Sequence, residues 1–345
     1  MEIRDPDYLQ ELWYVASASK SIKRGQAKHL TLLGQAILIG RKNNQKIFAV
    51  SDICPHRGTL LSRGKFNGEY ITCKYHGWEF SPNGQCSKIP SQLAHQKPKP
   101  SAINIKQYHV REDSGIIWIY MGNGKPIENS HPSLLPAYCK LQVHIIKNFE
   151  CDMDLAVTGL MDPAHGAFIH TSPLWRKYGQ TQKKSKKFSP LPLGWRMESH
   201  TASSNSRAYR FFMGGSTKTQ IDYLLPGVRF EHAWTSKVNY YGVTSCTPVN
   251  KNITAVHHFM YWDLPGGLPL RSIVKLFGNR FLAQDAQAVL DMKDGQSFGS
   301  QSILVEGADT QIRWYYKLKK EWLQSQEQAR PFKNNIQPAL LEWNS

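Results

Sequence analysis

The feature that most constrains this chain is the stretch ICPHRGTLLSRGKFNGEYITCKYHGW, residues 53 to 78. Cys54 and His56 stand two apart, Cys73 and His76 stand three apart, and sixteen residues separate the pairs. Six scattered cysteines in 345 residues do not make a disulfide framework, so cysteines set beside histidines read as metal ligands or reactive thiols. Pro55, Gly58 and Gly77 suit the tight turns that would bring two such loops face to face.

A Cys2His2 zinc site usually keeps both cysteines in one half and both histidines in the other. Here each half supplies one of each. That suits a two-iron cluster with unequal irons, two thiolates on one and two imidazoles on the other. Neutral imidazoles in place of thiolates reduce the negative charge and raise the reduction potential. Cys54, His56, Cys73 and His76 are the expected ligands, with Tyr75 and Trp78 placed to shield them. The pair CPHRG…CKYHGW, followed by GQCSKIP at 84–90, resembles the Rieske [2Fe–2S] motif. Cys86, Cys139, Cys151 and Cys246 show no paired spacing and are expected to be small buried residues.

A second motif lies in GLMDPAHGAFIHTSP, where Asp162, His165 and His170 form D-x2-H-x4-H. Five residues of regular helix turn through about 500°, leaving the imidazoles about 140° apart, so the backbone must break or bulge here; Gly166 would ease it. The motif resembles the mononuclear-iron motif of Rieske non-haem iron oxygenases. The resemblance implies that His165 and His170 hold Fe(II) together with one carboxylate, leaving positions open for dioxygen. It also implies that Asp162, on the same helix face as His165, links that residue to the cluster ligand His76 of a neighbouring subunit in a head-to-tail homotrimer.

The third ligand is sought in GNRFLAQDAQAVLDMKDG, which offers Asp285, Asp291 and Asp294. On a helical wheel Phe277, Phe281, Ala288 and Met292 mark an apolar stripe; Asp285 lies about 45° from its centre and Asp291 about 75° to the other side. Gln284-Asp285 also resembles the family's carboxylate position, so Asp285 is the expected ligand. His257 and His258 are adjacent on a predicted strand and must face opposite ways, so one of them at most lines a pocket. Family members often carry Asn where this chain has Thr158 or Gly159. The plant-type relatives that act on chlorophyll breakdown products add a C-terminal Cys-x-x-Cys and membrane segments; this sequence shows neither and looks closer to the bacterial enzymes.

The surrounding pattern predicts an α+β fold. Short alternating stretches over 12–125 indicate an all-β domain carrying the Rieske motif, closed by the buried strand GIIWIYMG. Residues 123–136 read as a linker. A helical segment over 152–170 follows. YRFFMG, QIDYLLPGVRFEHAW and NITAVHHFMYWDL then predict a large antiparallel sheet. LPGGLPL breaks it, helices follow over 271–292 and in DTQIRWYYKLKKEWLQSQEQ, and nothing repeats. Residues 126–345 are thus expected as a catalytic domain of helix-grip type, with residues 1–11 packed on it.

The charge is +17, from 43 Lys and Arg against 26 Asp and Glu. Such charge suggests an acidic partner, and no nucleic-acid-binding signature accompanies it, so an anionic membrane face or an acidic redox protein such as a ferredoxin is expected rather than nucleic acid. KKSKK at 183–187 reads as a solvated loop. Apolar runs are too short to span a bilayer and the first residues lack a signal peptide's pattern, so a soluble cytoplasmic protein is expected, with no integral membrane segment. No dinucleotide fingerprint follows a predicted strand, so NAD(P)H would act only through a reductase. The resemblance implies a terminal oxygenase that uses O2 to hydroxylate or demethylate a small organic substrate. Aromatic cis-dihydroxylation, or electron transfer or redox sensing without oxygenase activity, are the alternatives.

Overall fold

The computed structural model describes residues 8–126, 135–170, 181–202, 213, 216–263, 268–300 and 302–345. The chain divides into two compact units, Gln10–Ser133 and Met1–Leu9 with Leu134–Ser345.

The first unit is built of short strands: β1 (Leu12–Ala18), β2 (Ala27–Leu32), β3 (Gln35–Arg41), β4 (Ile47–Ser51), β5 (Lys65–Phe66), β6 (Ile71–Thr72), β7 (Glu79–Phe80), β8 (Cys86–Lys88), β9 (Gln107–Tyr108), β10 (Val110–Asp113) and β11 (Ile116–Met121). They form three antiparallel sheets, in the orders β1-β11-β10, β2-β3-β4-β9 and β5-β6-β7-β8. The expected buried strand is β11, every residue of which is buried between its two neighbours. The β2–β3 hairpin turns on Leu33 and Gly34, both at positive φ (51° and 71°), the primed turn whose twist matches that of the strands. Arg41 grips Glu112 with two nitrogens at 3.0 Å each and donates to the Ile22 carbonyl at 2.8 Å, which ties β3 to β10. Cys54 and Cys73 belong to the hydrophobic core with Leu38, Val50, Leu61, Ile71 and Phe80, so both ligand loops are rooted in packed structure.

The second unit carries α1 (Met153–Met161), α2 (Gly166–Ile169), α3 (Leu268–Ser297) and α4 (Thr310–Glu327). Its strands are β12 (Leu141–Phe149), β13 (Lys183–Leu191), β14 (Gly194–Thr201), β15 (Lys218–Leu224), β16 (Val228–Trp234), β17 (Asn239–Asn250), β18 (Ile253–Trp262) and β19 (Ala339–Asn344). They make one antiparallel sheet in the order β12-β18-β17-β16-β15-β14-β13-β19. The fold is therefore α+β, an all-β unit and a unit with a large antiparallel sheet and helices.

Close backbone approaches seat the helices. Gly227, at the start of β16, faces Met153 and Val157 of α1, and a Cβ there would fall 2.8 Å from each. Gly278 brings α3 down on β12, where a Cβ would lie 2.4 Å from Ile145 Cδ1 and 3.4 Å from Met260 Cε. Ile145 can yield to one methyl group but not to a branched side chain. Gly278→Val is expected to cost about 1–3 kcal/mol by overpacking. It also lifts Asp285, two turns further along α3, and iron content per chain reads that displacement.

Several expectations need correction. KKSKK is the first half of β13, paired with β14 and β19, and Lys184 is buried. Alternation along a strand overrides the run of charge: Lys184, Lys186 and Phe188 share one face. The segment 152–170 is not one helix, and a strand, β19, follows the last helix. The α3 stripe is rotated from the expected one: Phe277 and Met292 are 40% and 39% exposed, while Leu282 and Val289 are buried. Gly278, Leu282, Asp285 and Val289 share the inner face at spacings of four, three and four. Cys139 is only partly buried, unlike Cys86, Cys151 and Cys246. YRFFMG, apart from Met213, and residues 127–134 of the linker lie outside the described residues.

Candidate metal centres

The two halves of the Cys/His stretch fold into loops with one backbone frame. Cys54 N–H donates to the Thr59 carbonyl (2.9 Å) and Gly58 N–H to the Cys54 carbonyl (2.9 Å). In the second loop Cys73 N–H donates to Trp78 (2.8 Å) and Gly77 N–H to Cys73 (3.0 Å). Each loop thus starts on a cysteine and closes on a glycine four residues later, with φ of 72° at Gly58 and 71° at Gly77. The histidine occupies the third position of the first loop and the fourth of the second.

The histidines meet. The rings of His56 and His76 lie 4.5 Å apart between centroids, at 63°. Trp78 stacks flat on His56 (4.7 Å, 5°) and Tyr75, itself exposed, leans on His76 at 3.9 Å. Cys54 and Cys73 are each 2% exposed, and both are free thiols. Burial pushes the Cys54 thiol up to about 11, with the neighbouring Cys73 adding to the rise. Burial, then His76 and Arg57, hold His56 below its ordinary value. Among the described residues, only His165, His170 and Asp285 bring three such donors within 4.8 Å of one another. The four loop residues do not close around one ion, as a zinc site would require. Paired thiols at one end and paired imidazoles at the other fit a two-iron cluster instead.

Behind the first loop, Asp52 is fully buried and accepts from the Ser62 amide (2.6 Å), the Ser62 hydroxyl (2.7 Å) and His29 Nδ1 (2.6 Å). It holds the chain two residues before Cys54. The two glycines differ in their surroundings. A Cβ on Gly58 meets nothing within 4 Å, whereas one on Gly77 falls 3.1 Å from Pro90 Cγ. Gly58→Ala is expected to cost about 1 kcal/mol, the left-handed backbone alone, and Gly77→Ala about 2 kcal/mol. Thermal bleaching of the cluster absorbance, followed in both variants, should rank them in that order.

The second centre forms where helix gives way to turn. Asp152 caps α1 by accepting from Leu155 N–H at 3.0 Å, and Asp154 fastens the helix to α4 through Lys319 (2.6 Å) and Tyr315 (2.7 Å). Pro163 ends α1 by denying Asp162 a helical conformation; Asp162 is extended (φ −69°, ψ 117°). Its Oδ1 accepts from Ala164 N–H at 2.6 Å, which turns the chain into α2. His165 stands at one end of α2 and His170, extended at φ −86° and ψ 102°, at the other. The break thus flanks the two histidines rather than falling between them, and Asp162 shares no helix with His165.

This geometry brings both imidazoles to Asp285. His165 Nε2 lies 3.5 Å and His170 Nε2 3.4 Å from Asp285 Oδ1. The other ring nitrogens are held from outside, His165 Nδ1 by Asp162 Oδ2 at 3.5 Å and His170 Nδ1 by Gln284 Oε1 at 3.2 Å. Phe281 stacks on His170 at 3.7 Å. Burial would lower His165, but Asp162 and Asp285 outweigh it and raise its pKa to about 9. Burial likewise opposes ionisation of Asp162, yet the bonds from His165 and Ala164 keep it below the usual carboxylate range. The spacings to Asp285 are long for hydrogen bonds and suit donors that share one ion. Two nitrogens and one carboxylate, with both outer nitrogens engaged by oxygen, form a donor set that fits ferrous iron. Asp291 is exposed and bonded to Gln287, and Asp294 is exposed, so neither joins the group.

Of the adjacent histidines, His257 faces away from the helices and stacks with His144 and Phe259. His258 faces the helix side, where Thr244 Oγ1 meets its Nδ1 at 2.8 Å. Sequence reasoning left open which of the two would turn inward; the register with Ile145, whose contact with Gly278 marks the helix side, settles it.

Residues 12–108 match the family profile of the Rieske [2Fe-2S] domain. The chain therefore carries a Rieske domain, and the proteins it is similar to include Rieske-type oxygenases. Over 328 residues it is 24% identical to Protein TIC 55, chloroplastic, of Pisum sativum, covering 92% of this chain and 56% of that one. It is 31% identical over 165 residues to chlorophyllide a oxygenase, chloroplastic, of Oryza sativa subsp. japonica, covering 48% and 29%. The chain thus spans little more than half the length of the first of these relatives and less of the second. The fold is that of dicamba monooxygenase bound to dicamba, with a TM-score of 0.76 at 19% identity over 94% of this chain and 100% of that one. The relatives are of both chloroplast and bacterial origin, the latter including the toluene-4-sulfonate monooxygenase system iron-sulfur subunit TsaM1 of Comamonas testosteroni, 30% identical over 178 residues, covering 48% of this chain and 48% of that one. Among the described residues no helix is long and apolar enough to cross a membrane.

Proposed function

We propose that the chain is the terminal oxygenase of a Rieske non-haem iron system, acting on a small organic substrate. The observation that carries this reading is the convergence of His165, His170 and Asp285 in a chain that also bears a Rieske domain. Cys54, Cys73, His56 and His76 would hold the [2Fe–2S] cluster; His165, His170 and Asp285 would hold Fe(II). Iron so placed would supply reductive activation of O2. Asp162 fixes the His165 tautomer, and in a homotrimer it would link His165 to His76 of a neighbouring subunit. Gln284 and Phe281 fix His170. An external reductase or ferredoxin supplies the electrons, and the basic surface steers an acidic donor. Monooxygenation is the favoured outcome: one oxygen atom enters the substrate and the other leaves as water, with two electrons and two protons taken up.

The test is reconstitution with iron, sulfide and a surrogate reductase. About three irons per chain are expected, two in the cluster and one at the second centre. Product formed under labelled dioxygen should carry one labelled atom; two would mark cis-dihydroxylation. Two irons per chain and no substrate-stimulated oxygen uptake would favour an electron carrier or sensor instead.

A further inference from the structure

One row of side chains crosses the helix-facing side of the sheet. Tyr223 pairs with Arg229, Arg229 with Thr244, Thr244 with His258, and His258 with Ile145. Ile145 touches Gly278, so α3 lies over that end of the row, two turns from Asp285. His258 is close enough to Asp285 to feel its charge. We infer that this row is the polar floor of the substrate site, and that it selects an uncharged organic molecule that seats a hydrogen-bonding group, such as a hydroxyl, ring carbonyl or ring nitrogen, on His258. This rests on the proposed iron centre for its position and goes beyond it in naming the substrate class.

The argument is one of charge and of polar atoms. His258 is partly exposed although other groups crowd round it, as expected of a side chain that lines a space. Thr244 engages its Nδ1 and leaves Nε2 to meet a ligand. Burial first, then Arg229, hold its pKa down at about 4, so the ring is a neutral hydrogen-bonding group at physiological pH. The cation of the row, Arg229, is engaged by Glu231 at 2.8 Å, so the pair is neutral. Asp162 and Asp285 together match the charge of one ferrous ion. Among the described residues of this row, a carboxylate entering here would find Glu231 and no cation beyond the Arg229 already paired with it to replace the water it sheds, a strongly unfavourable exchange. Flanking surfaces are apolar: Met260 and Ile145 stand on the same face.

The test uses the iron-loaded protein without oxygen and matched probes that share a ring and methoxy group, vanillyl alcohol and vanillate. Titration calorimetry is expected to show vanillyl alcohol binding at least tenfold more tightly than vanillate. His258→Phe should weaken the alcohol at least tenfold, His258→Gln should recover part of that loss, and Glu231→Gln should narrow the preference for the neutral probe. Tighter binding of vanillate, no measurable binding of vanillyl alcohol, or a His258→Phe variant that binds it as the parent does would each overturn the inference. Failure of the iron reading is seen separately, as a chain that retains only two irons; the calorimetric preference is read independently of turnover.

Discussion

Asp285→Ala is expected to lower substrate-coupled oxygen consumption on the order of a thousandfold or more, while the red colour of the cluster stays. Both histidines converge on Asp285 Oδ1, so removing that carboxylate leaves two imidazoles that no longer surround an ion. Loss of several kcal/mol of metal-derived stabilisation corresponds to three or more powers of ten in rate. Iron analysis should fall by about one atom per chain, from about three to about two. Asp285→Asn keeps the shape and loses the charge, and separates metal loss from misfolding. Gln284→Leu should cost only about 10- to 100-fold, because Gln284 meets His170 Nδ1 at 3.2 Å and would act on the ion only by orienting that ring. Full turnover in Asp285→Ala would remove that residue from the centre.

Cys73→Ala is the complementary experiment, and its signature is inverted. The purified variant should be colourless, retain about one iron per chain, and accept no electrons from a reductase. Cys73 is buried among Leu38, Ile71 and Phe80, and alanine fills most of its volume, so the unloaded unit should lose only about 1 kcal/mol from packing. The larger loss comes from the cluster, whose binding energy is part of the folding energy. A red Cys73→Ala protein would reassign the ligands. With those outcomes the two variants would divide the proposed activity between a part that stores electrons and a part that uses them.

The two candidate ligand sets stand out in the sequence because chemistry of the proposed kind needs particular residue types at fixed offsets. Cys54, His56, Cys73 and His76 announce two loops, and Asp162, His165 and His170 demand a broken helix. What could not be read is where the break falls. Pro163 moved it ahead of His165, and the short α2 then presents the histidines from its two ends. Strands with apolar alternation, such as β15, β16 and β18, were visible. β13 was not, because its inward positions include Lys184 and Lys186, whose charge masks the period. The α3 stripe misled for the opposite reason: Phe277 and Met292 are apolar yet exposed, and glycine at 278 marks the inner face without adding hydrophobicity. His258 carried no signal of its own; only register across β17 and β18 assigns it a side.

The seating of α3 has a further consequence. Among its described side chains, only Leu282 and Val289 are buried, so this helix of 30 residues gains little from oil-like contacts. An ion gripped by Asp285 would fasten it to the turn holding His165 and His170. Metal loss would then loosen the helix before anything else in its unit, and amide hydrogens between Gly278 and Val289 would trade with heavy water faster after chelation. The centre proposed for oxygen chemistry would also be a rivet in the frame that surrounds it.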